Sequence, residues 1–144
     1  MPDQEVCCVY FERAGAANTE RTLRLARDRA QALGIQHIVV ATTTGQTGAL
    51  AGDLFRGCNL VVVTHSTGFK GPNQQELQSG FRSRIEASGA SLLTCQHTFG
   101  GIGRAVRRKL GTYRLEEIVA FVLRTFCEGM KVACEIALMA ADAG

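Results

Sequence analysis

The stretch Ile38-Val39-Val40-Ala41-Thr42-Thr43-Thr44-Gly45-Gln46-Thr47-Gly48 decides the fold. Its first four residues are apolar without alternation, and three are β-branched. That pattern fits a strand buried on both faces, as in a parallel sheet covered by helices. A hydroxyl- and glycine-rich turn follows and feeds a helix. Backbone N–H groups, threonine hydroxyls and a helix N-terminus therefore gather at the carboxyl end of a strand, which is the physics of a phosphate cradle. No lysine follows the glycine where a Walker loop needs one. Ordinary helix-capping chemistry has the same composition, so both readings stand on these residues alone.

Working outward, three more runs resemble this strand: Val6–Phe11, Leu60–His65 and Leu92–His97, with His37–Thr42 as the second in chain order. Helical patterns separate them. Asn18 is placed to cap a helix that ends near Gly34, with Leu23, Ala26, Ala30 and Leu33 as its apolar stripe. A second helix follows Gly45 and closes at Gly57. Pro72 suits the first turn of a third, with Leu77, Phe81 and Ile85 along one side and Gly89 past its end. A basic helical stretch runs from Arg104 to Leu110. The segment Leu115–Ala141 reads as one long amphipathic helix, bent at Gly129. Ile118, Val122, Phe126, Met130, Ala133 and Ala137 form its apolar face; Glu117, Arg124, Glu128, Lys131 and Glu135 form its polar one. Strands alternating with helices predict a three-layer α/β domain: an open, mostly parallel sheet with helices on both faces. Residues 1–144 make one domain.

Composition narrows the function classes. Sixteen basic and 13 acidic residues leave a net charge of +3, too small for a dedicated nucleic-acid binder. A hydrophobic fraction of 46% with 20% charged residues excludes a disordered chain. No signal peptide opens the sequence and no apolar stretch is long enough to span a membrane. The six cysteines include no CxxC pair, so neither a zinc ribbon nor a thioredoxin motif has its spacing. They read as small, reduced, mostly buried residues of a cytoplasmic protein. No metal site is expected.

In an open parallel sheet, ligands bind beyond the carboxyl ends of the strands. The sequence puts polar, glycine-rich loops there. Besides Thr42, Thr43, Thr44, Gly45, Gln46 and Thr47, the candidates are His65, Ser66, Thr67, Gly68 and Phe69 after one run and His97, Gly101, Gly103 and Arg104 after another. Gly101-Ile102-Gly103 partly matches a dinucleotide fingerprint, but Val106 replaces its third glycine. Arg104 opens a helix and can pair with phosphate; Arg107, Arg108 and Lys109 read as a solvated face. His65 and His97 end their runs at this rim, each as a binding residue or a hydrogen-bonded edge residue. No recognisable carboxylate motif accompanies them, no nucleophile elbow supports a triad, and no residue is assigned a catalytic role.

At the 38–48 stretch the chain resembles the strand and phosphate loop of the pyruvate kinase C-terminal domain. More specifically, it resembles the small stand-alone proteins described as pyruvate kinase C-terminal-domain-like. The likeness extends through Tyr10-Phe11-Glu12, Asn18-Thr19-Glu20-Arg21, Val63-Thr64-His65 with Gly68-Phe69, Gly101-Ile102-Gly103-Arg104, and Lys131-Val132 through Glu135-Ile136-Ala137 to Ala140–Gly144. This resemblance implies the three-layer α/β fold and bound flavin mononucleotide (FMN), with the Thr42–Gly48 loop on the phosphate and the rim loops on the ribityl chain and ring. It implies no phosphoenolpyruvate chemistry, because the kinase's catalytic barrel has no counterpart here. The family usually continues about forty residues beyond the point matching Gly144. The expectation is therefore a domain shortened at its C-terminal end, whose uncovered apolar surface favours a homo-oligomer. The alternative to a flavin protein is a non-catalytic regulatory or assembly module that senses a phosphorylated metabolite.

Overall fold

A computed structural model describes residues 5–144. Its sheet has three parallel strands in the order β1 (His37–Ala41), β2 (Asn59–Val63), β3 (Ser91–Leu93). The register sets Ile38 opposite Leu60, Ala41 opposite Val63, and Val61 opposite Ser91. The helices are α1 (Thr19–Leu33), α2 (Gln46–Leu54), α3 (Ser79–Ala87), α4 (Ile102–Leu110), α5 (Leu115–Arg124) and α6 (Glu128–Asp142).

Strand side chains alternate between faces, and the two faces have different partners. Ile38, Val40, Leu60 and Val62 pack with Leu23 of α1, Ala49 and Ala51 of α2, and Ile85 of α3. On the opposite face, α6 packs against β1 and β2. Helices thus cover both faces, giving the α/β architecture that the alternation of runs predicts. The α2 helix can approach the sheet because residue 48 is glycine. A Cβ there would lie 2.6 Å from Val62 Cγ1 and 2.9 Å from Ile85 Cδ1.

Several local expectations are corrected. Residues 6–11 form no strand, and Tyr10 is 90% exposed. Strand propensity cannot supply a hydrogen-bonding neighbour, and neither sheet edge, β1 or β3, carries this segment. Asn18 stands at the N-cap position of α1 as expected, but its side chain makes no capping bond: it closes a 3-10 turn (Ala16–Asn18), and its Nδ2 donates to the Arg13 carbonyl at 2.6 Å. The run Leu92–His97 is strand only within Ser91–Leu93. The third helix starts at Ser79 rather than Pro72. The preceding loop has its own bonds: Gly68 N–H donates to the Gln74 carbonyl at 2.9 Å, and Leu77 N–H to Gln75 Oε1 at 3.1 Å. A backbone carbonyl and a side-chain amide oxygen here replace helical partners. The cysteines are all free, but Cys7, Cys8 and Cys127 are exposed rather than buried.

The C-terminal helical segment is divided, and its buried face is not the apolar one. Thr125 Oγ1 donates to the Val122 carbonyl at 2.6 Å, Cys127 is extended, and its Sγ accepts the Met130 N–H to open α6. The break lies at Thr125–Cys127, not at Gly129. After it, α6 turns Lys131, Glu135 and Met139 inward, while Phe126 is 73% and Met130 44% exposed. Among the described residues, no helix is long and apolar enough to cross a membrane.

Candidate functional site

The polar residues of the site stand beyond the carboxyl ends of β1, β2 and β3. Thr42 follows β1 and is buried; its Oγ1 accepts the N–H groups of Gly45 at 3.1 Å and Gly48 at 3.3 Å. The hydroxyl therefore satisfies donors of the turn and of the first turn of α2 from within the protein. Gly45 has φ 101°, and a Cβ there would fall 2.5 Å from Phe81 Cβ. That glycine serves the packing of the turn against α3.

After β2, Thr64 Oγ1 shares a 2.7 Å hydrogen bond with Thr94 Oγ1, which joins the second and third strand ends. His65 and Phe69 then stack, with ring centroids 4.2 Å apart, and Phe69 lies 5.0 Å from His97. The Arg104 guanidinium stands over the Phe69 ring at 5.4 Å, within cation–π range. Two polar contacts hold this aromatic shelf. His65 Nδ1 meets Glu76 Oε2 at 2.7 Å, and Ser66 N–H donates to His97 Nε2 at 3.3 Å. A carboxylate does accompany one rim histidine, then; it comes from the loop before α3. Burial pushes the His97 imidazole below its ordinary pKa; Glu135 opposes this, while His65, Arg104 and Lys131 nearby add to it. The neutral ring is the form that can accept the Ser66 N–H.

The shelf separates two spaces. An inner cavity of about 210 Å³ runs from Thr42 and Thr43 past His65, Phe69, His97 and Arg104 to α6. Apart from Arg104, its basic side chains are matched: Arg124 Nε meets Glu128 Oε2 at 2.7 Å, and Lys131 bonds Glu135. The hydrogen bond from Arg124 holds the Glu128 carboxyl below the ordinary value, an effect burial opposes. Lys131 and Glu135 are 7% and 4% exposed, and Glu135 Oε1 also accepts the Phe99 N–H at 3.0 Å. An outer cleft of about 560 Å³ is lined by Ser66, Thr67, Gly68, Phe69, His97, Gly101, Arg104 and Arg108, among others. Among the described residues, no acidic one lines it.

Ten of the residues expected at the site therefore border these two spaces: Thr42, Thr43, His65, Ser66, Thr67, Gly68, Phe69, His97, Gly101 and Arg104. Five do not. Thr44 turns its carbonyl to the Gln78 N–H at 3.0 Å, and Gly45 lies under α3. Gln46 and Thr47 line a separate cavity of about 250 Å³ beside Ala16–Glu20. Gly103 is covered by Glu116. The Lys131–Glu135 pair was not singled out in sequence, where it reads as part of a solvated helix face. Its i, i+4 spacing was the available signal; the face it occupies was not.

Fold and site together define an α/β domain with a ligand-sized cleft beyond the ends of its parallel strands. The family model described as pyruvate kinase, alpha/beta domain, matches residues 20–139. The chain belongs to that family.

Proposed function

We propose that this domain binds a small phosphorylated ligand with a planar ring, and that FMN is the ligand its site suits best. The observation that carries this reading is the aromatic shelf of His65, Phe69 and His97 under Arg104, with a cavity on one side and a cationic cleft on the other. A flat ring finds a stacking partner there and a phosphate finds guanidinium groups. The outer cleft falls within the roughly 300–1,000 Å³ of small-molecule sites. Bound flavin would supply the redox chemistry; the residues of this chain bind and orient it. Free thiols throughout support a reducing, cytoplasmic setting.

Titration with FMN, followed by quenching of flavin fluorescence, tests the reading. Binding is expected at micromolar protein. Phe69→Ala should weaken it about tenfold, since a stacked ring contributes roughly 1–3 kcal/mol. No quenching would overturn the flavin assignment. Stabilisation by sugar phosphates instead would favour a regulatory module that performs no chemistry. We also infer a homo-oligomer, because the apolar side chains of α5 find little cover within one chain: Leu115 is 74% and Phe121 68% exposed.

A further inference from the structure

We propose that Arg104 and Arg108 form an anion site in the outer cleft, and that a phosphoryl or pyrophosphoryl group of the ligand lies against α4 rather than in the Thr42–Thr47 turn. As a statement about where a ligand's anionic end binds, this rests on the reading of the cleft as a ligand site. Three observations carry it.

The first is charge. Positive side chains on the inner cavity other than Arg104 have carboxylate partners there, Arg124 with Glu128 and Lys131 with Glu135. Among the described residues Arg104 and Arg108 make no ion pair, and both line the cleft that has no acidic lining residue. The second is position. The two arginines are four residues apart on α4, so they share one side of the helix. Like charges so placed repel, and an anion between them removes the repulsion while accepting charge-assisted hydrogen bonds from both. Ser66 and Thr67 line the same cleft. The third is the state of the alternative. In the turn after β1, the Thr42 hydroxyl already accepts two of the N–H groups a phosphate would need. Gln46 and Thr47 face a different cavity.

Inorganic pyrophosphate is the probe, titrated calorimetrically into the full chain in phosphate-free, low-salt buffer. Saturable binding that weakens as salt rises is expected. Arg108→Gln should weaken it at least tenfold and Arg108→Lys only partly. Thr44→Ala with Thr47→Ala should leave it unchanged. Thermal melts of each variant confirm folding; Arg108 is exposed. Failure of millimolar pyrophosphate to bind would overturn the site, as would binding retained in the Arg104→Gln, Arg108→Gln double variant or lost in the threonine double variant. The same variants with FMN and riboflavin separate this inference from the flavin reading. Loss of the preference for FMN in Arg108→Gln supports both. Pyrophosphate binding without either flavin supports the anion site and overturns the flavin assignment. A preference for FMN that survives in both arginine variants would overturn the anion site alone.

Discussion

Lys131 and Glu135 are the residues whose removal should be felt most. They are buried as a pair, with Glu135 also holding the Phe99 N–H. Lys131→Met leaves the carboxylate buried without its counter-charge, and breaking such a pair costs about 3–5 kcal/mol. Lys131→Met combined with Glu135→Gln removes both charges and keeps an acceptor for Phe99, so much of the loss should return. Urea unfolding of the two variants checks this; equal losses would mean that the charge itself matters little. His97 makes a pH prediction. Its folded pKa lies below the ordinary value of about 6.5, so the unfolded chain takes up its proton first as pH falls. The stability this neutral ring contributes is complete above about pH 6.5 and is lost as pH drops toward the folded value. Melting temperature should fall more steeply from pH 7 to 5 in the parent protein than in His97→Gln.

Among the elements, α2 shows how local chemistry and packing combine. Thr42 ends β1, accepts the N–H groups of Gly45 and Gly48, and so joins the strand end to the start of the helix. Thr42→Val keeps the shape and leaves those two donors unpaired, at a cost of about 1–3 kcal/mol; Thr42→Ser should keep most of the stability. Denaturant melts distinguish the two. This element was largely legible in sequence, because a strand, a hydroxyl-rich turn and a glycine signal a helix start by local rules. The α5–α6 segment was not. Apolar periodicity locates an amphipathic helix but does not say which face a neighbour covers. Here the sheet received Lys131, Glu135 and Met139, and left Phe126 and Met130 outside. Two side-chain bonds to the backbone accompany the break at Thr125–Cys127, from Thr125 Oγ1 to the Val122 carbonyl and from the Met130 N–H to Cys127 Sγ, a competition that propensity does not resolve.

At the scale of the whole molecule, exposed apolar surface is the main unsettled term. Ile102, Leu110, Leu115, Phe121 and Phe126 are each at least 68% exposed, and surface of this kind associates. Sedimentation at micromolar concentration should show an oligomer, and Phe121→Lys should shift it toward monomer without loss of helical signal. A parent protein that stays monomeric would overturn the inferred self-association.

The sequence by itself determined the parallel α/β class, the strands β1 and β2, the ends of α1 and the polar rim, because each follows from residue types within a few positions of one another. Tertiary structure alone decided which rim residues meet. His65 and Phe69 come from the loop after β2, His97 from the loop after β3 and Arg104 from α4, and their meeting depends on how two strand ends stand side by side. The same placement separated Gln46 and Thr47 from the cleft and turned a charged pair of α6 inward. Those outcomes depend on which surfaces face each other across the sheet, and local spacing carries no record of that.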